Sequence, residues 1–187
     1  MSVISVEVLM QINERVFGQR ESTLEEEASA MSVPDLKRTV LVIRRMLKSA
    51  AAALPETAYA RQPDDQDGND VWSAGEIASH IAGTMIWTDT NLRKLRGLEA
   101  SPPDARLALY AEVKVREKAA ALQALEVADT ALTGILDDIP HDIDTSQTEE
   151  FDFFGTVGVK GWLLLTALHE GDHANQLREL GRSSVSG

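Results

Sequence analysis

The sequence contains no cysteine. That excludes disulfides, thiolate metal ligands and a cysteine nucleophile supplied by the chain itself. It also suits the cytoplasm, the location we expect. Basic residues are scarce: 18 Lys+Arg stand against 30 Asp+Glu, a formal net charge of −12. Such a surface repels phosphate backbones and anionic lipid, so neither nucleic acid nor a membrane is an expected partner. No run of about 18 uncharged apolar residues occurs, so no membrane span is expected. The first residues, MSVISVEVLMQINER, carry neither a basic region ahead of the apolar ones nor a small-residue cleavage site, so no signal peptide is expected. Aromatic residues make up only 5%, while Ala and Leu are abundant, which favours helix packed on helix.

What is present is helical punctuation. Ser32, Pro34 and Asp35 make a helix start, Pro55 a stop, and Leu36, Val40, Ile43, Leu47, Ala50 and Leu54 form one stripe between them. This predicts helix A over about 33–54. Ser73 and Glu76 in SAGE form a capping box that opens helix B, which Gly97 stops. Helix C runs from Asp104 towards Pro140, with room for a break near Lys114–Lys118. FDFFG reads as a short extended piece or hairpin, and helix D spans about 157–180, stopped by Gly181. The segment PETAYARQPDDQDGNDVW is a solvated loop; its acidic cluster lacks the glycine spacing of a calcium-binding loop. Four amphipathic helices with little strand signal predict an all-α four-helix bundle over residues 32–187. Residues 1–31 read as an N-terminal extension. A short helix from Val3 to Phe17, stopped by Gly18, would serve as a packing arm or dimer contact. An alternative start of translation at Met31 is the minor reading.

The chain has only four histidines. His169 and His173 lie four apart in LLLTALHEGDHANQLREL, and four residues bring two side chains to one helix face. His80 lies in WSAGEIASHIAGT, on another helix. Two imidazoles from one helix and a third from a facing helix make a three-histidine metal site with open positions. Nitrogen ligands without thiolate suggest zinc or nickel, with copper and iron also suited to imidazole. Near the mean direction of the helix D pair lie Trp162, Thr166 and Gln176; near His80 lie Trp87, Thr84 and Glu76. Trp87, Trp162 and Gln176 are the expected pocket lining, and Glu170 and Asp172, flanking the pair, the expected acid–base groups. Glu76, Glu170, Asp172 and Gln176 are candidates to fix the free imidazole nitrogens, although Glu76 also serves the capping box. His141 falls in a polar loop. His169 to His173 also spells H-E-x-x-H, the metalloprotease signature. The residues that follow, ANQLREL, lack the H-x-x-G-x-x-H continuation, so a protease is the minor reading.

Taken together, W-S-x-x-E-I-x-x-H-I over Trp72–Ile81, Phe154–Gly155 ahead of the last helix, and H-x-x-x-H-x-x-Q-L over His169–Leu177 resemble the DinB-like superfamily. Its relatives include bacillithiol-transferase-like proteins and mycothiol-dependent maleylpyruvate isomerase. The helix order of residues 32–182 fits that resemblance; residues 1–31 lie outside it. The resemblance implies a bundle of unusual connectivity, His80, His169 and His173 as the metal triad, zinc or nickel as the ion, and a homodimer. It implies no DNA binding. The expected function is that of a metal-dependent transferase or isomerase acting on a small molecule with a low-molecular-weight thiol. The alternatives are a metal-dependent hydrolase using activated water and a non-catalytic metal-binding stress protein.

Overall fold

The computed structural model describes residues 3–60 and 72–185. The acidic stretch 61–71, most of the expected solvated loop, lies outside the described residues. In chain order the elements are α1 (Val6–Asn13), a π-helical turn (Glu14–Gly18), α2 (Leu24–Ser29), α3 (Val33–Ala53), α4 (Thr57–Ala60), α5 (Ala74–Leu95), α6 (Ala105–Glu112), α7 (Lys118–Asp137), β1 (Thr148–Phe151), β2 (Gly155–Gly158) and α8 (Val159–Val185). The four long helices α3, α5, α7 and α8 form the bundle, as the sequence predicts. Its core is aliphatic, with Leu36, Val40, Ile43, Leu47, Ile77, Ile81, Leu132 and Leu164 fully or almost fully buried.

Sequence punctuation accounts for most helix ends. Ser32 caps α3 through Asp35 N, with Pro34 in the first turn. Ser73 and Glu76 make the reciprocal capping box on α5, and Gly97, at φ +65°, ends it. Helix C divides. Val113 and Glu117 are extended, and the Ser79 hydroxyl holds the break by donating to Val113 O and accepting from Val115 N. Gly75 makes this approach possible: a Cβ there would lie 1.9 Å from the Val115 carbonyl oxygen. Helix D corrects its expectation, because α8 continues through Gly181 to Val185. Gly181 spares space rather than ending the helix, since a Cβ would come within 3.1 Å of Leu54 Cδ2. Gly18 closes a π turn rather than an α-helix running from Val3; α1 spans Val6–Asn13, and the coil then widens into the π turn Glu14–Gly18. FDFFG is the turn of an antiparallel hairpin that pairs Phe151 with Gly155. Gly155 sits at φ +69°, where a side chain is strained.

Helix directions follow from cross-helix contacts. Arg44 meets Glu170, and Leu54 lies by Gly181, so α3 and α8 run parallel. Lys48 binds Glu126 and Asp129 while Lys37 reaches Ile139 O, so α7 runs opposite to α3. Ser79 meets Val113 and Arg96 meets Asp138, so α5 follows the direction of α7. The order is therefore up, down, down, up. The successive helices α3 and α5 meet at Arg44 Nη2 and Met85 Sδ, 3.3 Å apart, while each packs more extensively on α7 and α8. By length and composition α7 could cross a bilayer. In the bundle its Ala121, Leu125, Ala128 and Leu132 face the core, and its Glu126 and Asp129 ion-pair with Lys48.

Residues 3–30 pack onto this frame. Leu9, Ile12, Leu24 and Ala28 are at most 3% exposed and join the common core. Ile4 N donates to Thr39 Oγ1 at 3.2 Å. Glu25 accepts from Gly158 N at 2.8 Å, placing a carboxylate at the N-terminus of α8 where the helix dipole favours it.

Candidate metal centre and its cavity

His80 comes from α5, two turns beyond its capping box, and His169 and His173 come from one face of α8. Because α5 and α8 run in opposite directions, all three rings converge. His80 Nε2 lies 2.9 Å from His169 Nε2, and His173 Nε2 lies 3.2 Å from it. All three ligand atoms are within 4.8 Å of one another. Nitrogens that each sit about 2.0–2.1 Å from one zinc ion stand about 3 Å apart, so these separations suit a shared cation. The sequence-predicted triad is thus brought together, and it is a group able to hold one metal ion.

The protonation of the cluster favours the same use. Burial, reinforced by repulsion from His173, lowers His80 to about 4. Burial, then the neighbouring His173 and His80 and the cation of Arg44, lowers His169 to about 3. Burial lowers His173 as well, against the opposing pull of Gln176, Asp172 and Glu170. Near pH 7 the rings are neutral and offer lone pairs. His173 Nδ1 donates to Gln176 Oε1 at 2.9 Å, which fixes the tautomer and leaves Nε2 bare. Gln176 Nε2 in turn donates to Asp172 at 3.1 Å. Gln176 therefore stands behind a ligand rather than in the cavity wall.

Glu170 is turned away from the triad. Arg44 Nε donates to its Oε2 at 2.7 Å and Arg44 Nη2 to its Oε1, and both residues are fully buried. With both oxygens engaged by one guanidinium, Glu170 is a structural counter-ion between α3 and α8. Asp172 is exposed and borders the cavity. Glu76 serves its cap and Lys114. His141 is exposed and outside the cluster.

A cavity of about 390 Å³ opens beside His169. Trp87 and Trp162 both line it, edge to face at 4.6 Å. With α5 and α8 antiparallel, they crowd one end of the site rather than bracket the triad. Phe153 and Phe154 from the hairpin turn, and Asn13 and Phe17 from the N-terminal extension, complete the wall. Trp72 covers the opposite side of the triad, stacked on His173 at 5.5 Å and edge-on to His80 at 4.6 Å.

Sequence reasoning missed Trp72, Arg44, Phe17 and the hairpin phenylalanines as site components. Arg44 left a signal: it stands one turn after Val40 on the apolar stripe of α3, where a charge demands a buried counter-ion. Trp72 left a weaker one, an indole just ahead of the cap of the helix that carries His80. Phe17 left none, because only the tertiary fold brings residues 13–17 to the cavity.

Compared with known proteins, residues 41–177 match the sequence model of the DinB superfamily. No curated protein and no solved structure matches the chain.

Proposed function

The chain belongs to the DinB superfamily, and on that premise we propose that it is a metal-dependent transferase or isomerase that uses an external low-molecular-weight thiol on a small molecule. One observation carries the reading. The candidate metal group has three histidine members and no fourth His, Asp or Glu among the described residues. A structural zinc site closes with four protein ligands, whereas a catalytic one keeps a position open. A bound zinc or nickel ion would supply Lewis acidity and lower the pKa of a thiol or water that joins it.

The chain's own residues favour a nucleophile brought from outside. There is no cysteine, and Glu170 is engaged with Arg44. Burial keeps the imidazoles deprotonated, Gln176 orients His173, and Trp72 shields one side of the cluster. The aromatic cavity beside His169 would bind the small molecule and exclude water. Incubating the zinc- or nickel-loaded protein with low-molecular-weight thiols and a chromogenic electrophile tests this. Saturable acceleration that disappears in His80→Ala is expected; no acceleration over free metal with any thiol would remove the proposal.

Asp172 supports a second reading, hydrolysis. Its carboxylate borders the cavity, three residues after His169 and one before His173, where a general base would stand. Turnover of esters without thiol, lost in Asp172→Asn and His80→Ala alike, would favour it.

A further inference from the structure

The cavity beside His169 is built partly by residues 13–17, outside the matched segment 41–177. Its wall is chemically one-sided. Trp87, Trp162, Phe153, Phe154 and Phe17 supply aromatic surface, with threonine hydroxyls between them. Among the described residues, Asp172 is the one ionisable group lining it besides His169, and no Lys or Arg lines it. Phe153 is 75% exposed and Trp87 43%, so the mouth is also aromatic.

The way Phe17 reaches this wall is specific. The α-helix gives way to a π turn at Glu14–Gly18, a local widening found often at functional sites. Arg15 pins the turn to α2 by two 2.7 Å bonds to Glu27, which also accepts from Ser22. Arg20, in the left-handed region at φ 56°, closes it. So held, Phe17 lies parallel to Phe153 at 6.3 Å and edge-on to Phe154 at 6.2 Å.

We propose that the N-terminal extension is a specificity element. Phe17, with the hairpin phenylalanines, completes a chamber for a small uncharged aromatic molecule, which is the substrate class of this site. The assignment rests on the cavity being the substrate chamber of the reading above. Aromatic rings pair favourably with such walls. An anion would have to shed water into an apolar chamber whose fixed charge is the carboxylate of Asp172. About 390 Å³ suits a compact ligand of one or two rings.

Calorimetric titration of the full chain with p-cresol, and with p-toluate as its anionic counterpart, tests the assignment. Chelator-treated protein keeps the carboxylate from simply ligating metal. Saturable p-cresol binding is expected, with p-toluate at least about tenfold weaker. Phe17→Ala should weaken p-cresol about fivefold or more, and Phe17→Tyr should restore it. Phe17 is only partly buried, so the variant is expected to melt like the parent. Phe153→Ser, at the exposed turn, gives an independent second arm with the same direction. No saturable p-cresol binding, equal affinity for p-toluate, or indifference to both phenylalanine substitutions would overturn the proposal. Zinc titration separates it from the metal reading. Protein that binds p-cresol through Phe17 but no zinc keeps this inference and loses that one; the converse result does the reverse.

Discussion

His169 and Glu170 are neighbours in the chain, yet their side chains enter two buried polar clusters of opposite character. Glu170 meets Arg44, and the two charges satisfy one another across α3 and α8. His169 meets His80 at 2.9 Å and His173 at 3.2 Å, and three nitrogen donors of the same kind converge with no group among them to share their lone pairs. The first cluster matches its charges within the chain and leaves only Arg44 Nη1 without a hydrogen-bond partner. The second is complete only with something added. Buried polarity is therefore not one signal: a matched pair holds the fold, and an unmatched convergence points to a ligand.

The contrast can be broken most forcefully at Arg44. Arg44→Ala strands a buried carboxylate and should cost about 3–5 kcal/mol of stability in urea denaturation. Replacing both partners, Arg44→Met with Glu170→Met, should recover most of that loss. A single substitution with no cost would show that the pair is not structural. His169→Ala should act the other way. Zinc affinity should fall by more than the roughly 100-fold upper range for losing an outer partner, while the metal-free protein keeps its stability, because crowded donors have been thinned. Equilibrium zinc titration beside melting curves reads both effects.

Gln176→Leu sharpens the comparison further. It removes the acceptor that holds His173 Nδ1, so metal affinity should drop about 10–100-fold with little change in the metal-free melting temperature. Unchanged affinity would mean that the ring is held by packing against Trp72 alone. The smallest effect is expected at Ser73→Ala, which removes the α5 cap and should cost about 1 kcal/mol. Zinc affinity should stay within about twofold, since His80 lies two turns into the helix. A large loss would tie the cap to the cluster.

The bundle and the triad were legible in the sequence because both rest on local periodicity. Ser32, Ser73 and Gly97 mark helix ends through backbone chemistry, and His169 and His173 share a face by spacing alone. Trp87 and Trp162 were legible for the same reason. Their crowding at one end was not, since helix direction depends on the long connections. Gly181 misled because a glycine after a periodic stretch reads as a stop, while here its missing Cβ makes room for Leu54. Glu170 fitted the H-E-x-x-H pattern, but the pattern does not record that Arg44 waits on another helix. The role of residues 13–17 was invisible because Phe17 meets Phe153 across more than a hundred residues of chain.

The placement of Trp72, Trp87 and Trp162 has a practical consequence. They are the three indoles of the chain, and each touches the triad or the cavity beside it. The tryptophan emission of the unlabelled protein, excited at the red edge where tyrosine does not absorb, thus originates at the site. An ordinary fluorometer can follow the arrival of an ion or a guest there without any dye attached.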